Sequence, residues 1–388
     1  MSEKKEKVLI VHNYYQIPGG EDTVVENEKK LLEEHGHEVV LYTRHNSELK
    51  TMSKGQKLLL PFSTIFNVRT YREVKELITK QNIDVLHVHN TLNLISPAVY
   101  YAGFSKKIPV VQTVHNFRLL CPGATFFRNG HVCEECLNKG IICAVKHKCY
   151  RGSRVQTLAC VISTVIHRMF GTYVKLSYIC LTEFNKEKLL HLKHIKESNI
   201  YVKPNFVQTS GTIVPFHERK DQFVYVGRLE EIKGIDVLLN AWKILGSNAP
   251  KLIMCGTGPM EEWCRQFIKE NELTKVELAG FVPNVQVRKL IGESKALVLP
   301  TQVYEGFPMT IAESYASGTP VIGSDLGNTG SLIENGKTGL KFKHTSAEDL
   351  AEKVSIFTKD NYVLDDIYIK KYSSEMNYEI IKRIYKSV

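Results

Sequence analysis

FVYVGRLEEIKG, residues 223–234, runs from a short apolar stretch into a loop holding two glycines, two cations and two acids, and then into an amphipathic segment at 235–245. A brief β-rich run, a turn at a glycine and a helical period behind it make the βα half of a parallel-sheet unit. The pattern repeats outward. Downstream, apolar runs at 251–255, 276–278, 296–299, 320–323 and 340–342 alternate with helical periods at 260–270, 285–293, 308–316 and 347–357. Upstream, 7–12, 38–42, 84–89 and 110–114 read as strands. A turn with Pro18, Gly19 and Gly20 leads into a helix near 22–34. Two such series predict two doubly wound α/β domains. The seam falls near 204–220, where a strand-like 200–202 gives way to Pro204, Asn205 and the polar stretch 208–211. Ligands of open α/β sheets bind beyond the carboxyl ends of the strands, so a cleft between two facing sheets is the expected site.

The 388 residues are 43% hydrophobic and 24% charged. That excludes a disordered chain and leaves ample length for two cores. The apolar run at 8–11 is too short for a signal-peptide core, and no window reaches the ~20 apolar residues of a membrane span. A cytoplasmic location is therefore expected. Nine cysteines, an odd number in such a chain, argue against a full disulfide framework. The net charge of +10 is concentrated: residues 51–200 hold 21 Lys/Arg against 8 Asp/Glu, while 201–388 hold 23 of each. Such a patch suits anionic lipid or a lipid-linked substrate, or is simply a solvated basic face. Nucleic acid is the weaker alternative. Segments 54–72 and 155–170 mix basic residues with Leu, Ile and Phe, a pattern shared by surfaces that rest on anionic lipid and by core-facing helices.

Two local patterns carry chemistry. Arg228 and Lys233 sit where a strand-end loop meets a helix start, so two cations and backbone N–H groups can neutralise a diphosphate. Glu305 and Glu313 stand eight apart around Gly306, Phe307, Pro308, Met309 and Thr310. Pro308 suits a first helical turn, which places Glu305 in the loop, Glu313 on the helix, and the intervening amides at the helix start. Read without context, each pattern is equally an ordinary loop or an amphipathic helix with solvated charges.

In this order, with Gly256-Thr257-Gly258-Pro259 and Gly280-Phe281-Val282-Pro283 between them, the patterns resemble the donor half of glycosyltransferase family 4, the retaining GT-B enzymes with an E-x7-E segment. The resemblance continues through Ala-Ser-Gly-Thr-Pro-Val-Ile-Gly-Ser (316–324) and Asn-Gly-Lys-Thr-Gly (335–339). At the other end it includes Gly19-Gly20, the His-rich turn at 84–90 and Thr-Val-His-Asn at 113–116.

The resemblance implies a GT-B fold of two Rossmann-like domains facing across a cleft. Residues 1–207 would form the acceptor side, with a cysteine-rich insertion at about 118–150 and completion by a terminal helix at 372–388. Residues 208–371 would bind the donor. Arg228 and Lys233 would bind the diphosphate of a UDP-, GDP- or dTDP-sugar, and Glu313 the ribose hydroxyls. Glu305 would hold sugar hydroxyls, with Gly306, Phe307, Pro308, Met309 and Thr310 presenting amides. Gly19, Gly20, Gly227, Gly256 and Gly258 would line the phosphates, Phe281 and Val282 the base, and His115 would contact the transferred sugar. No Asp-x-Asp pair occupies a suitable loop, so metal-independent transfer is expected, with no cofactor required. The resemblance also suggests bacterial surface-polysaccharide synthesis, a lipid-linked glycan acceptor and a peripheral position on the inner face of the cell membrane. Other GT-B reactions, nucleotide-sugar epimerisation or glycan phosphorolysis, are the rival readings. A basic cysteine-rich module binding nucleic acid is the non-enzymatic rival, and no nucleic-acid partner is expected.

Cys121, Cys133, Cys136, Cys143 and Cys149 fall within 29 residues, and Cys133–Cys136 has metal-ligand spacing. A structural zinc at Cys121, Cys133, Cys136 and Cys149, with Cys143 as an alternative to Cys121, competes with reduced thiols in a packed loop and with a redox role.

Overall fold

A computed structural model describes residues 5–16, 19–208, 213–358 and 362–388. Pro18 and residues 209–212 of the expected seam lie outside these. The described chain divides into two compact units, one of Met1–Phe126, Cys133–Lys203 and Tyr378–Val388, the other of Phe127–Val132 and Pro204–Asn377.

The first unit holds a sheet of β1 (Lys7–Tyr14), β2 (Glu38–His45), β3 (Val85–Val88), β4 (Val110–Val114), β5 (Ser177–Cys180) and β6 (Ile200–Val202). All neighbours pair parallel, in the order β2-β1-β3-β4-β5-β6. β1 reads Lys-Val-Leu-Ile-Val-His-Asn-Tyr with six consecutive buried residues. A run without alternation is what a strand covered by helices on both faces requires. The last helix, Ser374–Ser387, packs on this unit through Tyr378, Ile381 and Tyr385, spaced three and four apart.

The second unit holds β7 (Lys220–Val226), β8 (Lys251–Cys255), β9 (Val276–Gly280), β10 (Ser294–Leu299), β11 (Val321–Ser324) and β12 (Gly339–Phe342). These are again all parallel, in the order β9-β8-β7-β10-β11-β12. Alternate side chains serve opposite faces: Phe223 and Tyr225 join one core with Trp242 and Leu350, and Val224 joins the other with Ile291 and Tyr315. The helix Ile235–Leu245 buries Ile235, Leu238, Leu239 and Trp242, one stripe at helical spacing worth roughly 2 kcal/mol per side chain.

Beyond the cysteine-rich segment the alternation resumes. The helix Arg154–Met169 is a crossover, and β5 returns the chain to the first sheet. The helix Ala98–Lys106 gave no signal because it is buried nearly all round and so lacks a polar face.

Candidate active site

In the second unit the strand order reverses between β7 and β10, the point where open α/β sheets bind ligands. Two loops leave the sheet there. One, 227–234, passes through a 3-10 turn at Glu231–Lys233 into the helix Ile235–Leu245. The other, 300–308, ends at the helix Met309–Ala316. They are pinned together by backbone. Gln302 N–H donates to the Ile232 carbonyl at 2.9 Å. Gly234 has φ 69°, and a Cβ there would stand 1.9 Å from the Pro300 carbonyl oxygen, so only glycine fits.

Across this junction Lys233 Nζ meets Glu305 Oε1 at 2.7 Å, and Thr301 Oγ1 donates to the same oxygen at 2.9 Å. The two charged side chains are 25% and 17% exposed, shielded but reachable. Asn328 Nδ2 donates to the carbonyls of Glu305 and Gly306, at 2.5 and 2.8 Å, and so holds the turn ahead of Phe307 and Pro308. Arg228 reaches outward, 63% exposed, and pairs with Glu230 at 2.7 Å. The Tyr225 hydroxyl donates to the Arg228 carbonyl at 2.8 Å and fixes its backbone. Beneath lie Gly256 and Gly258. A Cβ on Gly256 would stand 1.9 Å from the Gly227 carbonyl oxygen, and one on Gly258 would stand 2.4 Å from that of Leu229. Phe281 is exposed, whereas Val282, Phe307 and Met309 pack against the core. Burial pushes the Glu313 carboxyl up, against the pull of Arg288. The arrangement offers cations to an anionic ligand and a carboxylate acceptor to hydroxyls.

In the first unit the order reverses between β1 and β3, and here side chains fill the strand ends. Buried His12 meets Asp22 at 2.8 Å, and the other oxygen of Asp22 accepts the Gly19 N–H at 3.0 Å. The Gly19 amide is thus engaged at the start of the helix Gly20–Glu34. Deeper, Glu28 takes the Lys203 ammonium at 2.7 Å, both side chains 1% exposed. Its other oxygen stands 3.1 Å from His87 Nδ1 and 3.3 Å from His89 Nε2. His87 also bonds the Tyr385 and Thr113 hydroxyls, each at 2.7 Å. His89 Nδ1 meets His115 Nε2 at 2.9 Å. Burial alone would push the Glu28 carboxyl up, but Lys203, His87 and His89 hold it well below the usual carboxylate range. Burial drives His87 down to about 3 and His115 well below its ordinary value.

Tautomers follow from this network. The Glu28 carboxylate 3.3 Å away favours a proton on His89 Nε2, although no hydrogen bond joins the two atoms; His89 Nδ1 then accepts from His115 Nε2–H, and His115 presents Nδ1 as an acceptor. Glu28, His87 and His89 have metal-ligand proximity, but Lys203 already supplies the charge and both His87 nitrogens are engaged by the Tyr385 and Thr113 hydroxyls. A cavity of about 90 Å³ opens beside His115, lined also by His89, Asn116 and Arg118. Nearby, Tyr15 donates to Glu21 Oε2 at 2.9 Å, while Oε1 is buried without a hydrogen-bond partner. Burial raises this carboxyl to about 7, against Tyr15 and Arg118.

Of the residues singled out from sequence, Lys233, Glu305 and Gly306 converge, with Gly227, Gly256 and Gly258 below. Arg228 shares their loop, and Pro308, Thr310 and Glu313 follow on the adjoining helix start. His115, Gly19 and Gly20 belong to the first unit. Sequence reasoning missed Thr301, Asn328, Glu21, Glu28, His89 and Lys203. One signal was available: His87 and His89, two apart on a strand end, share a sheet face.

The model of glycosyl transferases group 1 matches residues 209–377, and that of glycosyltransferase family 4 matches residues 18–131, together nearly three-quarters of the chain. WcaL of Salmonella typhimurium, provisionally named a colanic acid biosynthesis glycosyltransferase, is 28% identical over 174 residues, 42% of this chain and 43% of that protein. The uncharacterised glycosyltransferase MJ1178 of Methanocaldococcus jannaschii is 24% identical over 360 residues, 90% of this chain and 87% of that one. The crystal structure of Anabaena HepE in complex with UDP and glucose superposes with TM-score 0.64 at 16% identity, covering 99% of this chain and 100% of that one, which shows a shared GT-B fold.

Proposed function

The chain belongs to the family 4 glycosyltransferases of GT-B fold, and from that membership we propose that it moves a sugar, with retention of configuration and without a catalytic metal, from a nucleotide-sugar donor to a lipid-linked glycan in surface-polysaccharide assembly. The observation that carries the reading is the Lys233–Glu305 pair at the β7/β10 reversal. Lys233 and Arg228 stabilise the departing diphosphate, a preorganised charge effect that needs no proton from the protein. Glu305 holds sugar hydroxyls, Glu313 the ribose, and His115 accepts a sugar hydroxyl at Nδ1. The bond between the anomeric carbon and the phosphate oxygen breaks, the acceptor oxygen bonds the same face, and the acceptor proton passes to the leaving phosphate. HepE's UDP and the name of WcaL support the donor class and the pathway.

The lipid-linked acceptor is supported by two helices of the first unit, Lys54–Ile65 and Arg154–Met169, which hold each other through Ser163 Oγ to the Thr64 carbonyl. They expose Leu58, Leu59, Phe62, Val155 and Met169 beside the exposed cations Lys54, Lys57 and Arg154. Incubation with labelled nucleotide sugars and a lipid-linked acceptor, followed by NMR of the product anomer, tests the reading. A retained linkage is expected; an inverted one, or an epimerised or phosphorylated free sugar, overturns it.

A further inference from the structure

The cysteine-rich stretch does not gather a metal site. Among the described residues no three of its thiols lie within 4.8 Å of one another; Cys136 Sγ meets Cys143 Sγ at 3.7 Å. The zinc set expected at Cys121, Cys133, Cys136 and Cys149 is therefore not assembled. What the stretch and its flanks do supply is positive charge without a partner. Arg118 and Arg151 each hold the guanidinium carbon 5.3 Å from the centroid of the Tyr150 ring. The ring is fixed by its hydroxyl, which donates to Asn93 Oδ1 at 2.8 Å. A cation–π contact draws a guanidinium to the ring but uses none of its N–H groups. Arg118 spends one of them on the Pro122 carbonyl, at 3.0 Å. Among the described residues neither guanidinium has an ion pair. Residues 85–182 contain two acids, Glu134 and Glu135, and these pair with Lys188 at 2.5 Å and Lys139 at 3.4 Å. Glu21, whose charged form Arg118 favours, is raised by burial to about 7 and so is half neutral at pH 7. Two cations on one ring favour an anion between them, and the protein leaves that anion to a ligand.

The two arginines open on a cavity within the first unit. With Tyr15, Asn46, Asn93 and Tyr150 they line a space of about 160 Å³, roughly ten times the ~10–15 Å³ that one water needs. It shares Asn90, Leu92 and Arg118 with the cavity beside His115. Asn46 is 3% exposed, and its Oδ1 has no hydrogen-bond partner among the described residues. A buried acceptor of that kind calls for a donor. A sugar hydroxyl supplies one, and a fully ionised phosphate alone does not.

We propose that this cavity binds an acidic sugar of the acceptor, with Arg118 and Arg151 on its oxyanion and Asn46 on a ring hydroxyl. The proposal rests on the reading of the chain as a sugar transferase and names the class of its acceptor, a charged glycan in place of a neutral one. Planar guanidiniums make two-point contacts with a carboxylate or a phosphate alike, so the shared chemistry is an oxyanion carried on a sugar ring. The common wall with the His115 cavity puts the acidic sugar next to the transferred one, at the reacting end of the acceptor.

Calorimetry and saturation-transfer NMR of the full chain with methyl glucuronide, glucose 6-phosphate and methyl glucoside test the site without donor or turnover. At least one acidic probe is expected to bind ~10-fold tighter than the glucoside, the scale of one charge-assisted hydrogen bond. Which of the two binds tighter tells carboxylate from phosphate. Arg151→Gln, at an exposed position, should melt as the unsubstituted protein does, erase that preference and leave glucoside binding unchanged. Lys148→Gln, an exposed cation outside the lining, should keep the preference. Equal binding of the three probes overturns the site, and so does a preference that survives Arg151→Gln or is lost equally in Lys148→Gln. Transfer assays separate the two readings. Transfer to neutral glycans as fast as to acidic ones overturns the subsite and leaves the transferase standing. An acidic preference in binding, with no transfer to any glycan, overturns the transferase and leaves the subsite.

Discussion

The two units share six parallel strands and a strand-order reversal, yet they build the ends of their sheets from different materials. The second unit uses backbone: Gly234, Gly256 and Gly258 let loops approach within distances that any side chain would forbid, and the charges ride above them, partly exposed. The first unit uses side chains: Glu28, Lys203, His87 and His89 are stacked out of solvent beneath His115. Shielded charge at the surface can be removed at a cost in function alone. Buried charge cannot be removed singly without a cost in stability, because its partner is left unpaired in a low dielectric.

The largest expected effect breaks the buried half of this contrast. Lys203→Met strands the Glu28 carboxylate and should cost about 3–5 kcal/mol in denaturant unfolding. Adding Glu28→Gln should restore much of it, because both charges are then gone. A single-variant loss under about 1 kcal/mol would show that the network carries no stability. Lys233→Ala comes next and should act in the opposite currency. Turnover should fall by ~10²-fold, the scale of one preorganised charge stabiliser, while the melting temperature moves little. Wild-type turnover in that variant would remove Lys233 from the diphosphate site.

The same contrast explains what could be read in advance. The second unit was legible almost strand by strand, and so were the two loops that bring Lys233 to Glu305, because Gly-Arg-Leu-Glu-Glu-Ile-Lys-Gly and the Glu305–Glu313 segment are local patterns at strand ends. Thr301 and Asn328 escaped because a lone Thr or Asn looks the same in sequence whether or not it donates to a carboxylate or to a backbone carbonyl. In the first unit the decisive contacts join Glu28 to Lys203, 175 positions apart, and His87 to Tyr385, 298 apart. No periodicity encodes such pairs.

Glycine substitutions sharpen the comparison at smaller scale. Gly256→Ala meets a carbonyl 1.9 Å away at φ 144° and should lower stability by ~2–3 kcal/mol. Gly19→Ala, with open space around its Cβ, should cost under about 1 kcal/mol as an N-cap change. Equal losses in calorimetry would contradict the claim that only the second unit is built on close backbone approach.

The smallest and most distributed effect is acid sensitivity confined to the first unit. Burial lowers His12 from 6.5 to about 4 and His87 to about 3. Between pH 6.5 and 4 these histidines take up protons in the unfolded chain but not in the folded one, so unfolding gains protons and stability falls as pH falls. His37 and His167, lowered chiefly by burial, add in the same direction. Glu28, depressed in the folded state, contributes stability that is present above its unfolded value and lost on further acidification. Glu21 works the other way: its folded value near 7 makes it stabilising at low pH and lost as pH rises, so it offsets part of the trend. In the second unit, Glu313 is raised and His344 lowered, and they oppose each other. Hydrogen exchange at pH 7 and pH 5 should therefore show protection falling in β1, β3 and β4 before β7, β8 and β10. Parallel loss in both sheets would mean that the buried histidines do not set the acid sensitivity of the first unit.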